Sequence, residues 1–168
     1  MSERLHVAAF ADLDPATLYA LLRLRVDVFV VEQACAYPEL DGRDTEPGTR
    51  HLWLTQNDDD GAPTAYLRVL SEPDGSARIG RVVVTPAARG GGAAGRLLAA
   101  ALAEVGDRPS VLDAQAHLVA FYGRHGYAAT GPEYLEDGIP HVPMARLSPT
   151  GPGRSTAGAA PPTARCRG

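Results

Sequence analysis

The chain is poor in the features that would build a disulfide framework, a metal centre, a nucleic-acid groove or a membrane span. Its two cysteines, Cys35 and Cys166, stand in unlike contexts without a C-x-x-C spacing. That argues against a structural zinc or a disulfide scaffold and leaves Cys35 a free thiol. Basic residues do not exceed acidic ones: 16 Lys and Arg stand against 20 Asp and Glu, for a net charge of −4. A nucleic-acid groove needs a basic face, so no nucleic-acid partner is expected. No apolar run approaches the ~20 residues of a membrane span, and the start, MSERLHVAAF, lacks a secretory apolar region. A cytoplasmic protein with no membrane partner is the expectation. The acidic run Asn57–Asp58–Asp59–Asp60–Gly61 lacks the spaced ligands and closing Glu of a calcium loop, so it reads as a turn and no metal is expected. Nor does a Gly-Lys-Ser/Thr follow the glycine-rich turn, which excludes a nucleoside-triphosphatase phosphate loop.

What is present fits one domain over residues 1–147, with a Pro/Gly/Ala/Thr-rich tail at 148–168 that lacks an apolar period and reads as disordered. RLHVAAF (4–10) suits a first strand. Asp14 before Pro15 marks a helix start, and Leu18, Leu21, Leu22 and Phe29 carry that helix into the late twenties. Arg25 falls on the same stripe, either snorkelling from a core face or anchoring an acidic group near the site. RHLWLTQ (50–56), PTAYLRVL (63–70) and SARIGRVVV (76–84) read as three consecutive antiparallel strands, the run Val82–Val83–Val84 being buried on both faces. Ala94, Leu97, Leu98, Ala101, Leu102 and Val105 then define an amphipathic helix stopped by Gly106. SVLDAQA is a strand parallel to its predecessor, HLVAFYGRHGY a short helix ending at Gly126, and HVPMARL (141–147) a last strand. Antiparallel strands feeding a β-α-β unit make a mixed α+β sheet.

The informative stretch is RVVVTPAARGGGAAGRLLAA (81–100). Gly90, Gly92 and Gly95 fit a dinucleotide fingerprint literally, and Asp113 lies about the right distance downstream for a ribose. Against that reading, Thr85–Pro86–Ala87–Ala88–Arg89 separates strand from glycines, three strands precede the motif, and too little chain follows for two mononucleotide halves. Glycines and alanines at a helix start also leave backbone N–H groups unobstructed, where the helix dipole favours an anion. Without Cβ atoms a pyrophosphate can approach the backbone closely, and Arg89 adds a cation at the rim.

At these residues the chain resembles the GNAT superfamily of N-acetyltransferases, whose acetyl-CoA motif is Arg/Gln-x-x-Gly-x-Gly/Ala after a strand ending Val-x-Pro. Here that is Val84–Thr85–Pro86 followed by Arg89, Gly90, Gly91, Gly92, Ala93 and Ala94, with Gly95 next. AFYGRHGY resembles the second family motif, with Tyr122 ahead of Gly126–Tyr127; the Asn common seven residues before that tyrosine is Gln115 here. LYALLRLRVDVFVVEQ, ELDGRD, GRVVV, AQAHLVAFYGRHGY and EDGIPHVPMARL together resemble the ElaA-like branch over residues 5–147.

The resemblance implies the GNAT fold, a mostly antiparallel sheet with one splayed parallel pair and flanking helices. It implies acetyl-CoA as acyl donor and a small-molecule or peptide amine as acceptor, attacking the thioester directly. It leaves a homodimer open and does not name the acceptor. On this reading the backbone at Val82, Val83 and Val84 takes the pantetheine arm and polarises the thioester carbonyl, and Tyr122 protonates the departing thiolate. Three residues are candidates for the base that takes the amine proton. Glu32 comes first, provided it is partly desolvated; His141 is second and His117 third. Two other readings remain. LRLRVDVFVVEQ followed by ELDGRD echoes acyl-homoserine-lactone synthases, and a regulatory module could bind acyl-CoA without turnover.

Overall fold

The computed structural model describes residues 3–56 and 61–148. The expected hairpin tip at 57–60 and, apart from Ser148, the expected disordered tail lie outside the described residues.

Alternation in the central strands sets the layers. Leu52 and Leu54 of β2 (Arg50–Gln56) and Ala65, Leu67 and Val69 of β3 (Pro63–Ser71) face one way, onto Leu97, Leu98, Ala101 and Val105 of α2 (Ala93–Val105). The intervening Trp53 and Tyr66 face the other way, onto Leu21 and Leu24 of α1 (Pro15–Arg25) and Val28. Each fully buried Leu contributes about 1.5–3 kcal/mol, so the two helices clamp the sheet from opposite sides. The sheet runs β1-β2-β3-β4-β5-β8-β6, with β7 paired to β8. Its edge strand β1 is Glu3–Ala8, and the second half comprises β4 (Ala77–Val84), β5 (Ser110–Gln115), β6 (Ala128–Ala129), β7 (Tyr134–Glu136) and β8 (Ile139–Arg146). Among the described residues only β4 and β5 pair in parallel. This is the mixed, mostly antiparallel α+β sheet that the sequence implies.

Asp14 caps α1 as expected, Oδ1 accepting from the backbone N–H of Ala16 and Thr17, both at 2.9 Å. The helix then widens into a π turn at Val26–Glu32, where Gln33 N–H reaches Val28 C=O at 3.0 Å. Such turns are rare and concentrate at functional sites. Gly106 ends α2 with φ +63°, as expected of a helix-stopping glycine. Between β5 and β6 lies the short helix α3 (Val119–Gly123). The two-residue β6 and three-residue β7 were not read from the sequence.

The structure corrects two expectations. Of the two readings of Arg25, snorkelling fails and the anchoring of acidic groups stands: it is fully buried, its guanidinium bonded to Glu39 Oε1 (2.6 Å) and Asp44 Oδ1 (2.8 Å). Val82–Val84 are not buried on both faces; only Val83 is buried, because β4 leaves β5 before reaching them. The two strands pair at Ala77↔Ser110 and Arg78↔Val111 and then part.

Candidate active site

The parting of β4 and β5 opens a cleft of about 2260 Å³. That is well above the roughly 300–1,000 Å³ of a single small-ligand pocket, so it has room for two reactants. A β-bulge shapes its β4 wall. Across from β3, Tyr66 pairs with Val83 and Arg68 with Gly80, so Arg81 and Val82 together oppose Leu67. Arg81 takes φ +55° to make this possible. The extra residue inverts the alternation: Ala77 and Ile79 face α2 before the bulge, Val82 and Val84 after it, and Val83 turns to the α1 side.

At one end of the cleft stands the glycine turn. Gly90 (φ +80°) and Gly92 (φ +78°) occupy the left-handed region that side chains disfavour. Gly92 is the N-cap of α2 and no side chain caps the helix, so its first N–H groups are offered outward. Gly91 needs no special φ, and a Cβ on Gly95 would make only ordinary contact with His125 at 3.9 Å. Ala93 is buried in the core, so only its backbone is available, whereas Ala94 lines the cleft. Those N–H groups, the glycines without Cβ and the unpaired β4 edge fit an extended acyl-CoA with a diphosphate at the helix start.

Arg89 lines the same cleft, but its guanidinium forms a bidentate pair with Glu32, at 2.7 and 2.8 Å, and donates to Val84 C=O at 3.2 Å. The hydrogen bonds from Arg89 hold the Glu32 carboxyl below its ordinary pKa. Glu32 is an exposed ion-paired carboxylate, so the desolvation that its candidacy as base requires is missing.

Tyr122 of α3 lies in the core beneath the cleft, 5% exposed, its ring edge-on to Phe121 and Tyr127. It is also one of the residues that line the cleft. Burial pushes the phenol up to about 12, so it stays protonated across the physiological range. His141 lines the cleft from β8, opposite Gln115 of β5 in register. Its Nδ1–H donates to Ile139 C=O at 2.8 Å. A carbonyl only accepts, which fixes the tautomer and leaves the Nε2 lone pair available. His117 and Gln115 also line the cleft, after and at the end of β5.

Two sets of residues were missed in the sequence reading. One is a buried charge network. Arg25 binds Glu39 and Asp44, and Arg68 binds Asp44 at 3.0 Å and Asp41. Arg81 binds Glu39 at 2.8 Å, while His51 joins Tyr66 (2.8 Å) to Asp44 C=O (3.0 Å). Its signal was Arg68 at an inward position of the apolar β3 run. The other is the β7–β8 hairpin, which brings Tyr134 beside His141. The Asp137–Gly138 dipeptide, a strong hairpin signal, could have found it.

Sheet, splay and helix-start turn together define the acyl-CoA N-acyltransferase architecture. The profile of the family described as "Acetyltransferase (GNAT) domain" matches residues 25–148. The chain is 55% identical to a UPF0039 protein of Mycobacterium tuberculosis, covering 87% of this chain and 94% of that one. It is 42% identical to protein ElaA of Escherichia coli, covering 81% and 91%. Among solved structures, an acyl-CoA N-acyltransferase from Pseudomonas aeruginosa superposes with a TM-score of 0.81 at 46% identity, covering 87% of this chain and all of the other. The chain therefore belongs to the GNAT acetyltransferase family, among the ElaA-like proteins.

Proposed function

We propose that this enzyme moves an acetyl group from acetyl-CoA to a primary amine by direct attack, in the cytoplasm where that donor is available. One observation carries the reading: a single cleft joins an uncapped, glycine-built helix start to a buried tyrosine and to a histidine with a free Nε2. Acetyl-CoA supplies the activated thioester carbonyl. The turn Arg89–Gly95 holds the diphosphate through backbone N–H groups and the Arg89 side chain, and the backbone at Val82–Val84, with Gln115 across the splay, holds the arm that carries the acyl group. Nε2 of His141 accepts a proton from the amine nitrogen as the C–N bond forms. Tyr122 gives its phenolic proton to the sulfur as the C–S bond breaks. Positioned groups of this kind are each worth about 10²–10⁴-fold. Glu32, exposed and ion-paired with Arg89, ranks behind His141 as base in this reading.

The test is free thiol release from acetyl-CoA across a panel of amines, beside calorimetry with acetyl-CoA and NAD. Amine-dependent thiol release and a clear preference for acetyl-CoA are expected. Tighter binding of NAD would overturn the cofactor reading, and acetyl-CoA binding with no amine-dependent release would make the protein a binding module.

A further inference from the structure

The face of the sheet on the α1 side is covered at β3 and β4, where α1 packs. Its continuation across β5 and β8 forms part of the cleft wall. Leu112, Ala114, Val142 and Met144 point to the α2 side. The alternate residues Asp113, Gln115, His141 and Pro143 therefore point to the α1 side, and all four line the cleft. Carboxylates on this wall are neutralised by arginines: Asp41 by Arg68 and Arg81, Glu72 by Arg43 and Arg78, Asp113 by Arg78.

Among the described cleft residues Asp137, in the turn that closes the β7–β8 hairpin, has no such arginine, and neither has the adjoining Glu136; Asp74 is bonded instead to Ser76. Asp137 (φ +49°) and Gly138 (φ +78°) form the turn, and Asp137 is one of the residues that line the cleft. Its Oδ1 is buried without a hydrogen-bond partner among the described residues. Cys35 Sγ–H donates to the Asp137 carbonyl at 3.4 Å, tying the turn to the segment that follows the π turn. A buried carboxylate oxygen with no donor carries a desolvation penalty that a bound cation removes. In register, Glu136 faces Ile139, two strand positions from His141. At ~3.3 Å per residue that separates the turn from the histidine by about 7 Å, a span that a few methylenes bridge.

We propose that Asp137 anchors a second, non-reacting ammonium group of the acceptor, so that the acceptor is a small aliphatic diamine. The proposal rests on the acyltransferase reading of the cleft, with His141 at the reacting nitrogen. That nitrogen loses its proton to Nε2 and forms the C–N bond while the C–S bond breaks and the thiolate takes the proton of Tyr122. The second ammonium keeps its protons throughout.

Three probes of equal length test it: putrescine, butylamine and γ-aminobutyrate, assayed by thiol release from acetyl-CoA. The expected order of kcat/KM is putrescine, butylamine, γ-aminobutyrate, with at least about tenfold between the first two, as for a desolvated charge pair. Asp137→Asn should collapse the putrescine-to-butylamine ratio toward one. Asn adopts the left-handed conformation readily, so the turn should survive. Equal kcat/KM for putrescine and butylamine in the wild type, or a preference that persists in Asp137→Asn, overturns the proposal. If no amine releases thiol, calorimetry of putrescine on the CoA-saturated protein separates the two readings. Binding weakened about tenfold by Asp137→Asn retains the anchor and counts against acyl transfer alone, whereas binding that is absent or unchanged in the variant overturns the anchor.

Discussion

Tyr122→Phe separates a proton donor from a packing residue because the structure predicts that almost nothing but the proton is lost. The ring makes edge-on contacts with Phe121 and Tyr127 at centroid distances of 5.0 and 6.2 Å, and phenylalanine keeps both. Among the described residues the phenolic oxygen makes no hydrogen bond, and its raised pKa comes from burial and the nearby Tyr127. Removing an unbonded hydroxyl from a buried ring leaves no partner unsatisfied, so unfolding free energy should change by no more than about 0.5 kcal/mol. If the phenol protonates the leaving thiolate, kcat should fall by roughly 10²–10⁴-fold, about 3–5 kcal/mol of barrier. Acetyl-CoA affinity should hold, since the proton acts on charge that develops late. Burial raises the phenol to about 12, so wild-type activity should show no loss of the acid on the alkaline side below about pH 11. Stopped thiol-release assays, calorimetry and urea melts on the same preparations read all of these. A variant that turns over at the wild-type rate refutes the assignment of the acid. One that loses stability or donor affinity while keeping kcat shows that Tyr122 is a packing residue.

Gly92→Asp would place a carboxylate at the helix start, in a left-handed backbone and with its Cβ 3.1 Å from the flexible end of Arg96; it should lower stability by about 1 kcal/mol and CoA affinity by at least about tenfold, read by calorimetry. Glu32→Gln releases Arg89 from an exposed ion pair; because such pairs are worth about 0.2–1 kcal/mol, CoA should bind up to roughly fivefold tighter with kcat unchanged, and a large fall in kcat would restore Glu32 as base. Arg25→Ala removes one of the two arginines that hold each of the buried carboxylates Glu39 and Asp44, leaving Arg81 on the first and Arg68 on the second, and should cost up to about 3–5 kcal/mol in urea unfolding. Burial raises the pKa of Asp41 and Asp44, but hydrogen bonds and charge from Arg68 and Arg25 outweigh it and leave both below the usual carboxylate range. Their stabilisation is therefore present above the unfolded value near ~4 and lost as pH falls through the folded values, so the gap between wild type and Arg25→Ala should narrow in acid-unfolding curves.

Local signals in the sequence were read well where one short segment carries the whole cause. Asp14–Pro15 sets a helix start by capping and fixed φ, and the turn at Arg89–Gly95 is legible because the φ of positions 90 and 92 favours glycine. The GNAT resemblance, carried by that turn and by the Tyr122 segment, extended the reading to the whole sheet. The charge network was not legible. Arg25, Glu39, Asp44 and Arg68 meet across α1, a loop and β3, and no local pattern pairs an arginine with a carboxylate many residues away. The exposure of Glu32 was hidden for the same reason: its apolar approach VFVVE reads as buried, yet the π turn brings its carboxylate out to Arg89.

The cleft itself depends on the least legible feature, the bulge at Arg81. A non-glycine residue at φ +55° costs of order 1 kcal/mol or more. Arg81 offsets that by binding Glu39 at 2.8 Å and lying over the Tyr37 ring at 5.7 Å. The strain is thus held by the same network that buries Arg25. Without the extra residue Val82 and Val84 would face the α1 side, and Val83 would leave the cluster of Leu21, Leu24 and Tyr66 that holds α1 down. The charged layer under α1 therefore supports the wall of the cleft from behind. It follows that Arg25→Ala should perturb donor binding as well as stability, although Arg25 lies on the far side of the sheet from the glycine turn.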